Sequence, residues 1–272
     1  MKSKKWLGYT IYGILVTVLF LYVLFPSHRM AGYIESVVSE RNPGVDLSIG
    51  SADIAFPLGL NCEKVVFGIK GKPGSEIEAD LVKGRFSLLQ LLKGDTSILV
   101  TAEAYGGNVD ARLDSPDRFS SGTITADMTF DGIELDECTY LKDAAGRDIG
   151  GRLGGTLLYE GSWHDIINGK GNASFSLNEG TIGLQKDMFG FETLVFEKAE
   201  GKMILKNRIV ALDSLKVEGK EMKSSLSGRI FLNRNFAQSR LSLKGNVDIV
   251  ALGKNLSLNV RGTISKPISN VR

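Results

Sequence analysis

Two cysteines and two histidines in 272 residues leave little material for a metal centre, a thiol relay or a disulfide framework. Neither sign of charge dominates: 33 basic side chains face 31 acidic ones, a formal charge of +2. A chain so balanced has no electrostatic reason to grip nucleic acid, and no nucleic-acid partner is expected. Proline is scarce, at six residues, and aromatics make up only 8%. The sequence contains no HExxH, CxxC, P-loop or GxSxG pattern. What it does have is glycine, 32 residues of it. Without proline or a G-X-Y period that excess is not collagen; it suits many tight turns. Apolar residues at 43% and charged ones at 24% are those of a chain that folds.

One long hydrophobic run is present. Lys2, Lys4 and Lys5 precede LGYTIYGILVTVLFLYVLF, Leu7 to Phe25, which carries no charge. As a helix it would span roughly 28 Å, close to the hydrocarbon thickness of a bilayer. Trp6, Tyr9 and Tyr22 lie near its ends, where amphipathic rings favour the interface. A cleaved signal peptide is the rival reading. The run exceeds the usual apolar core of one, and the exit FPSHRMAG offers no small-x-small site. The expectation is an uncleaved transmembrane anchor within 1–27, N-terminus cytoplasmic, followed by a single extramembrane domain over 28–272.

Beyond it, HRMAGYIESVVSER (28–41) places Met30, Ile34, Val37 and Val38 at helical spacing before Asn42-Pro43-Gly44 stops the pattern. FSLLQLLK (86–93) clusters its leucines in the same way, with Ser87 to cap it and Gly94 to end it. Two short helices are predicted there. Nearly everything else alternates with period two, as a strand with one apolar face must. In TITADMTF, Ile124, Ala126, Met128 and Phe130 share a side. Ala173, Phe175 and Leu177 do so in NASFSLN, and Leu256, Leu258, Val260 and Ile264 in LSLNVRGTI. Val109, Ala111 and Leu113 repeat the pattern, as do Leu226, Ile230 and Leu232, then Leu241 and Leu243. Turn signals fall at Gly106-Gly107-Asn108, Asp131-Gly132, Asn168-Gly169, Asn178-Glu179-Gly180, Glu200-Gly201, Lys206-Asn207 and Lys244-Gly245-Asn246. The pattern predicts a mainly β fold, an antiparallel meander. No βαβ rhythm points to a parallel sheet. An outer-membrane barrel needs longer strands and aromatic girdles than these. Asp136–Gly155 is the least patterned stretch and reads as a loop or a divide between two β segments.

Candidate chemistry is thin. GIKGKPG, with Gly68, Gly71 and Gly74, lacks the Lys-Ser or Lys-Thr of a phosphate cradle and reads as a hairpin turn. His164-Asp165 in GSWHDIING reads as a turn with a polar tip, and His28 as interfacial. Glu134 and Asp136-Glu137 could mimic a glycosidase dyad, but a solvated carboxylate face is commoner. No catalytic residue, metal or cofactor is expected. Cys62 and Cys138 make one conceivable disulfide, allowed in an oxidising compartment and left open here.

Several segments resemble a known family. ADIAFPLGLNCEKVVF (52–67) is similar to an early strand–FPxGL–strand element of AsmA-like envelope proteins. RFSLLQLLKGDTSILVTAEAYGGNVDARL (85–113) resembles the unit that follows there: short helix, strand, GG turn, strand. GRIFLNRN (228–235) and NLSLNVRGTISKP (255–267) are similar to the closing strands. With one anchor and about 270 residues, the order of elements looks most like the type II secretion system protein N (GspN) family. The resemblance implies a bacterial inner-membrane, single-pass protein with a periplasmic β domain. It implies an accessory role in type II protein secretion, by binding rather than catalysis, with other secretion-system components as partners. The wider AsmA-like group implies a β-groove, or sandwich, formed by an elongated or curved sheet. The alternative function is then lipid binding or lipid transfer, with lipid as a partner. An envelope hydrolase with an unrecognised site is a third reading, supported only by generic polar residues.

The residues expected on the apolar face, as groove or core, are Phe56, Leu58, Leu60, Ile124, Ala126, Met128, Phe130, Ala173, Phe175, Leu177, Leu256, Leu258 and Val260. Periodicity alone cannot distinguish a groove from a packed interior.

Overall fold

A computed structural model describes residues 27–56, 58–71, 74, 76–87, 90, 93–116, 122–162, 164–188, 191–220, 222–250 and 253–271, with positions 9, 12, 13, 16, 17 and 20. Most of the 7–25 run therefore lies outside the described residues. Tyr9, Tyr12 and Phe20 within it are helical and exposed. Among the described residues, no helix is long and apolar enough to cross a membrane.

Among the described residues, α1 (Ser27–Arg41) is followed by fourteen strands. They are β1 (Val45–Ala55), β2 (Gly59–Ile69), β3 (Ile77–Phe86), β4 (Thr96–Ala104), β5 (Gly107–Ser115), β6 (Thr123–Glu134) and β7 (Ile149–Ser162). After them come β8 (Asp165–Met188), β9 (Phe191–Lys206), β10 (Ile209–Glu218), β11 (Met222–Phe231), β12 (Arg240–Ile249), β13 (Lys254–Thr263) and β14 (Pro267–Val271). All fourteen belong to one sheet, in chain order, and every pairing is antiparallel. Short connections and strict alternation favour this arrangement, because each strand finds its partner in the segment just before it. The mainly β, antiparallel expectation holds.

The least patterned stretch contains structure that the alternation did not show. A 3-10 turn (Leu135–Glu137), the helix α2 (Thr139–Ala145) and the start of β7 occupy 136–155. Pairing of β6 with β7 runs from Thr123 opposite Ser162 to Glu134 opposite Arg152, so the insertion sits at the rim without interrupting the sheet. Helix α2 ends on Gly146, left-handed at φ 63°, whose N–H donates to the Lys142 carbonyl at 2.8 Å. A glycine placed there is an ordinary helix stop signal. The helix expected over 86–93 is corrected at its start. Phe86 ends β3, and the Ser87 N–H donates to Ser97 O at 3.0 Å. Leu88, Leu89, Leu91 and Leu92 lie outside the described residues.

Glycine proves to be a strand residue here more than a turn residue. Only Gly106-Gly107-Asn108 and Lys206-Asn207 mark hairpin ends. Asp131-Gly132 lies inside β6, Asn168-Gly169 and Asn178-Glu179-Gly180 inside β8, Glu200-Gly201 inside β9, and Lys244-Gly245-Asn246 inside β12. The reason is close approach. A Cβ on Gly201 would lie 2.3 Å from the Phe175 ring, and one on Gly180 would lie 2.1 Å from the Phe196 ring. Each ring lies against the facing backbone, which only glycine permits. Strands are accordingly longer than the turn signals suggested. Their phase is reset by irregularities at Asp131-Gly132, at Gly151 and at Asp213.

Candidate functional site: the apolar face of the sheet

Antiparallel partners point to the same side of a sheet, so the registers reveal what each face presents. One row runs Ala52–Cys62–Val82–Ala102–Val109–Phe130 across β1 to β6. It continues Gly155–Phe175–Gly201–Leu215–Leu226–Gly245–Leu258 across β7 to β13. A parallel row holds Leu60–Gly84–Val100–Ala111–Met128 and then Leu157–Ala173–Met203–Leu212–Gly228–Leu243–Val260. Neither row contains a charged or polar side chain. At about 4.8 Å per strand, the first extends about 60 Å measured along the sheet.

Cover over this face is local. Near β1 and β2, α1 packs Ala31 against Ile49, Ala52 and Cys62, with Met30, Ile34, Leu60 and Val82 around them. The second covered region gathers Leu135, Leu177, Phe196 and Ala199, with Leu141 of α2 and Val217 beside them. Elsewhere on the face Ala126, Tyr159, Leu212, Val247 and Ile249 are buried as well. Leu113, Leu157, Leu226, Leu243 and Leu258 are half-buried. On the opposite face of the same sheet, Leu99 and Leu158 are 50% and 44% exposed. Leu81, on that opposite face too, is half-buried.

Of the thirteen residues expected on the apolar face, Leu60, Met128, Ala173 and Val260 fall on the second row, and Phe130, Phe175 and Leu258 on the first. Ala126, Leu177 and Leu256 lie on flanking rows of that same face, and Ile124 is on it opposite Gly161. Ala126 and Leu177 are buried; Ile124, Met128, Phe130, Ala173, Phe175, Leu256, Leu258 and Val260 are half-buried. Phe56 and Leu58 stand in the β1–β2 turn, 73% and 42% exposed, beyond the paired residues. Met203, Leu212 and Leu215 belong to the face and were not picked out. An irregularity at Asp213 shifts the alternation by one, which hides β10 from a period-two search.

Asp136 and His164, two of the candidate polar residues, make structural hydrogen bonds. Asp136 accepts a hydrogen bond from the Gly151 N–H at 3.1 Å, tying the 3-10 turn to β7. His164 is exposed in the β7–β8 turn, its N–H donating to Ser162 Oγ at 3.3 Å. Among the described residues no cluster of His, Cys, Asp and Glu could hold a metal ion. Cys62 and Cys138 are free thiols, the first buried, so the conceivable disulfide is not formed. Burial pushes the Cys62 thiol above its ordinary pKa, with Asp53 adding to the rise. Burial likewise raises Tyr159, aided by Asp165.

No family model, curated protein or solved structure matches this chain.

Proposed function

We propose that this chain is a membrane-tethered envelope protein that works by binding, holding an acyl chain along the half-open apolar face of its sheet. One observation carries the reading: Leu99 and Leu158 on one face of the sheet are exposed, while Leu113, Leu157, Leu226, Leu243 and Leu258 on the other are half-buried. A flat single layer exposes both faces alike. A layer curled with its apolar side concave shelters one of them and leaves a trough. Along the row Phe130–Gly155–Phe175–Gly201 the Phe130 and Phe175 rings lie over Gly155 and Gly201, which makes that stretch of the floor aromatic. Each methylene of a lipid tail desolvated there contributes about 0.8 kcal/mol. The uncharged run 7–25, with lysines before it, supplies the tether.

The test is lipid retention. Full-length protein, purified and washed into a lipid-free amphipol, is extracted and its lipids are counted by mass spectrometry. Wild type should retain phospholipid, and Met128→Asp and Leu243→Asp, still folded by circular dichroism, should retain less. Equal retention in all three would overturn the reading.

A role as an accessory of type II secretion is compatible with this, and it rests on the resemblance of 52–67, 85–113, 228–235 and 255–267. Its test is separate. Deleting the gene in its host should reduce export of folded substrates, and tagged protein should co-purify with other secretion components; unchanged export would remove this role.

A further inference from the structure

The near-zero net charge conceals a segregation. Strands β1 to β6 and their connections (45–134) carry eight basic and fourteen acidic residues. From Lys202 to the C-terminus the count reverses to fourteen basic against four acidic. Register places much of this positive charge on the outward face. Lys206, Ile209, Phe231 and Arg240 form one outward row across β9 to β12. Ile204, Ala211, Arg229, Ser242 and Arg261 form the next, across β9 to β13. All the cations in these rows are exposed. The ion pairs among the described residues are Lys83–Glu103, Arg112–Asp114, Arg152 with Glu134 and Glu179, Lys170–Glu160 and Lys198–Glu200. None of them neutralises Lys206, Arg229, Arg240 or Arg261. Apolar side chains stand among the cations: Ile204 is 47% exposed and Phe231 is 37% exposed, with the Arg240 guanidinium 5.8 Å from its ring centre.

We propose that this outward face of β9–β13 docks on the surface of an anionic phospholipid bilayer. Free cations attract anionic headgroups at about 1 kcal/mol each, or roughly fivefold in affinity. Exposed Ile and Phe at the same level favour the apolar side of a headgroup layer, which a nucleic acid or an acidic protein surface lacks. The inference goes beyond lipid holding by the opposite face, and it uses the run 7–25 only to present the chain in the experiment.

Full-length protein in phosphatidylcholine nanodiscs is mixed with vesicles of phosphatidylcholine, with or without phosphatidylglycerol, and bound protein is measured by flotation. Binding should require phosphatidylglycerol and vanish near 1 M salt, where screening reaches about 3 Å. The triple variant Arg229→Gln, Arg240→Gln, Arg261→Gln should bind about 100-fold more weakly. Phe231→Ser should also weaken binding, whereas Lys83→Gln, Arg85→Gln, Arg112→Gln on the acidic half should not. Three results would overturn the proposal: no binding to anionic vesicles, equal loss in both triple variants, or full displacement by a DNA duplex with no effect of Phe231→Ser. A chain that fails to enter nanodiscs counts against the tether alone; the same flotation with the free chain then tests the face.

Discussion

At the scale of single residues, the account rests on which side chains are pressed against which backbones. A methyl group on Gly201 would meet the Phe175 ring. Gly201→Val should therefore cost about 1–3 kcal/mol in denaturant unfolding. Paired with Phe175→Leu, much of that cost should disappear, because the ring that clashes is gone; additive losses would show that the contact is not responsible. The two thiols should separate in the same way. Cys62 lies buried beneath α1, and burial raises its pKa. Iodoacetamide should modify Cys138 in the folded protein and reach Cys62 only on unfolding. The folded state holds the Cys62 proton beyond the unfolded pKa of about 8.5, so stability should fall as pH rises above that value. Cys62→Ala should flatten this slope, measured from unfolding midpoints between neutral and alkaline pH. The sequence showed that these residues exist, but not what they do. Glycines at 180 and 201 read as turns because composition marks glycine as a breaker, whereas a ring on the neighbouring strand made them part of the sheet.

At the scale of elements, cover decides what a substitution costs. Phe196, in β9, is 3% exposed and packs with Leu135 and Leu177. Leu243, in β12, lies on the same face but is only half-buried. Phe196→Ala should destabilise by about 3–5 kcal/mol. Leu243→Ala should cost less than half of that, since much of the side chain is already in contact with solvent; comparable losses would mean that a second layer covers β12. Much of this level was legible beforehand. Alternation located the interiors of β5, β6, β8, β11, β12 and β13, and helical spacing located α1, because a regular period survives wherever a strand or helix is unbroken. It failed on β10, where an extra residue at Asp213 shifts the phase, and on α2, which has too few residues to display a stripe.

At the scale of the whole molecule, fourteen strands in chain order make one continuous layer, and the chain exposes 17856 Å². A compact protein of 29.5 kDa would expose about 11,500 Å². A single layer leaves both of its faces without a second layer over much of their area, and the proposed acyl chain would lie along the two apolar rows of one face. This level was the least legible in the sequence. Period two assigns residues to faces but says nothing of what lies above a face, so trough and closed core look identical until exposure is known. Net charge misled similarly, because opposite excesses in the two halves cancel. The most direct test of the account is a photo-crosslinking scan in intact cells of the host, with a photoreactive amino acid placed in turn at Met128, Leu226, Leu243 and Leu258 on the sheltered face, and at Leu99 and Leu158 on the other. The account predicts phospholipid adducts at the first four positions and none at the last two. Adducts spread equally over both faces, or protein adducts alone at the first four, would contradict it.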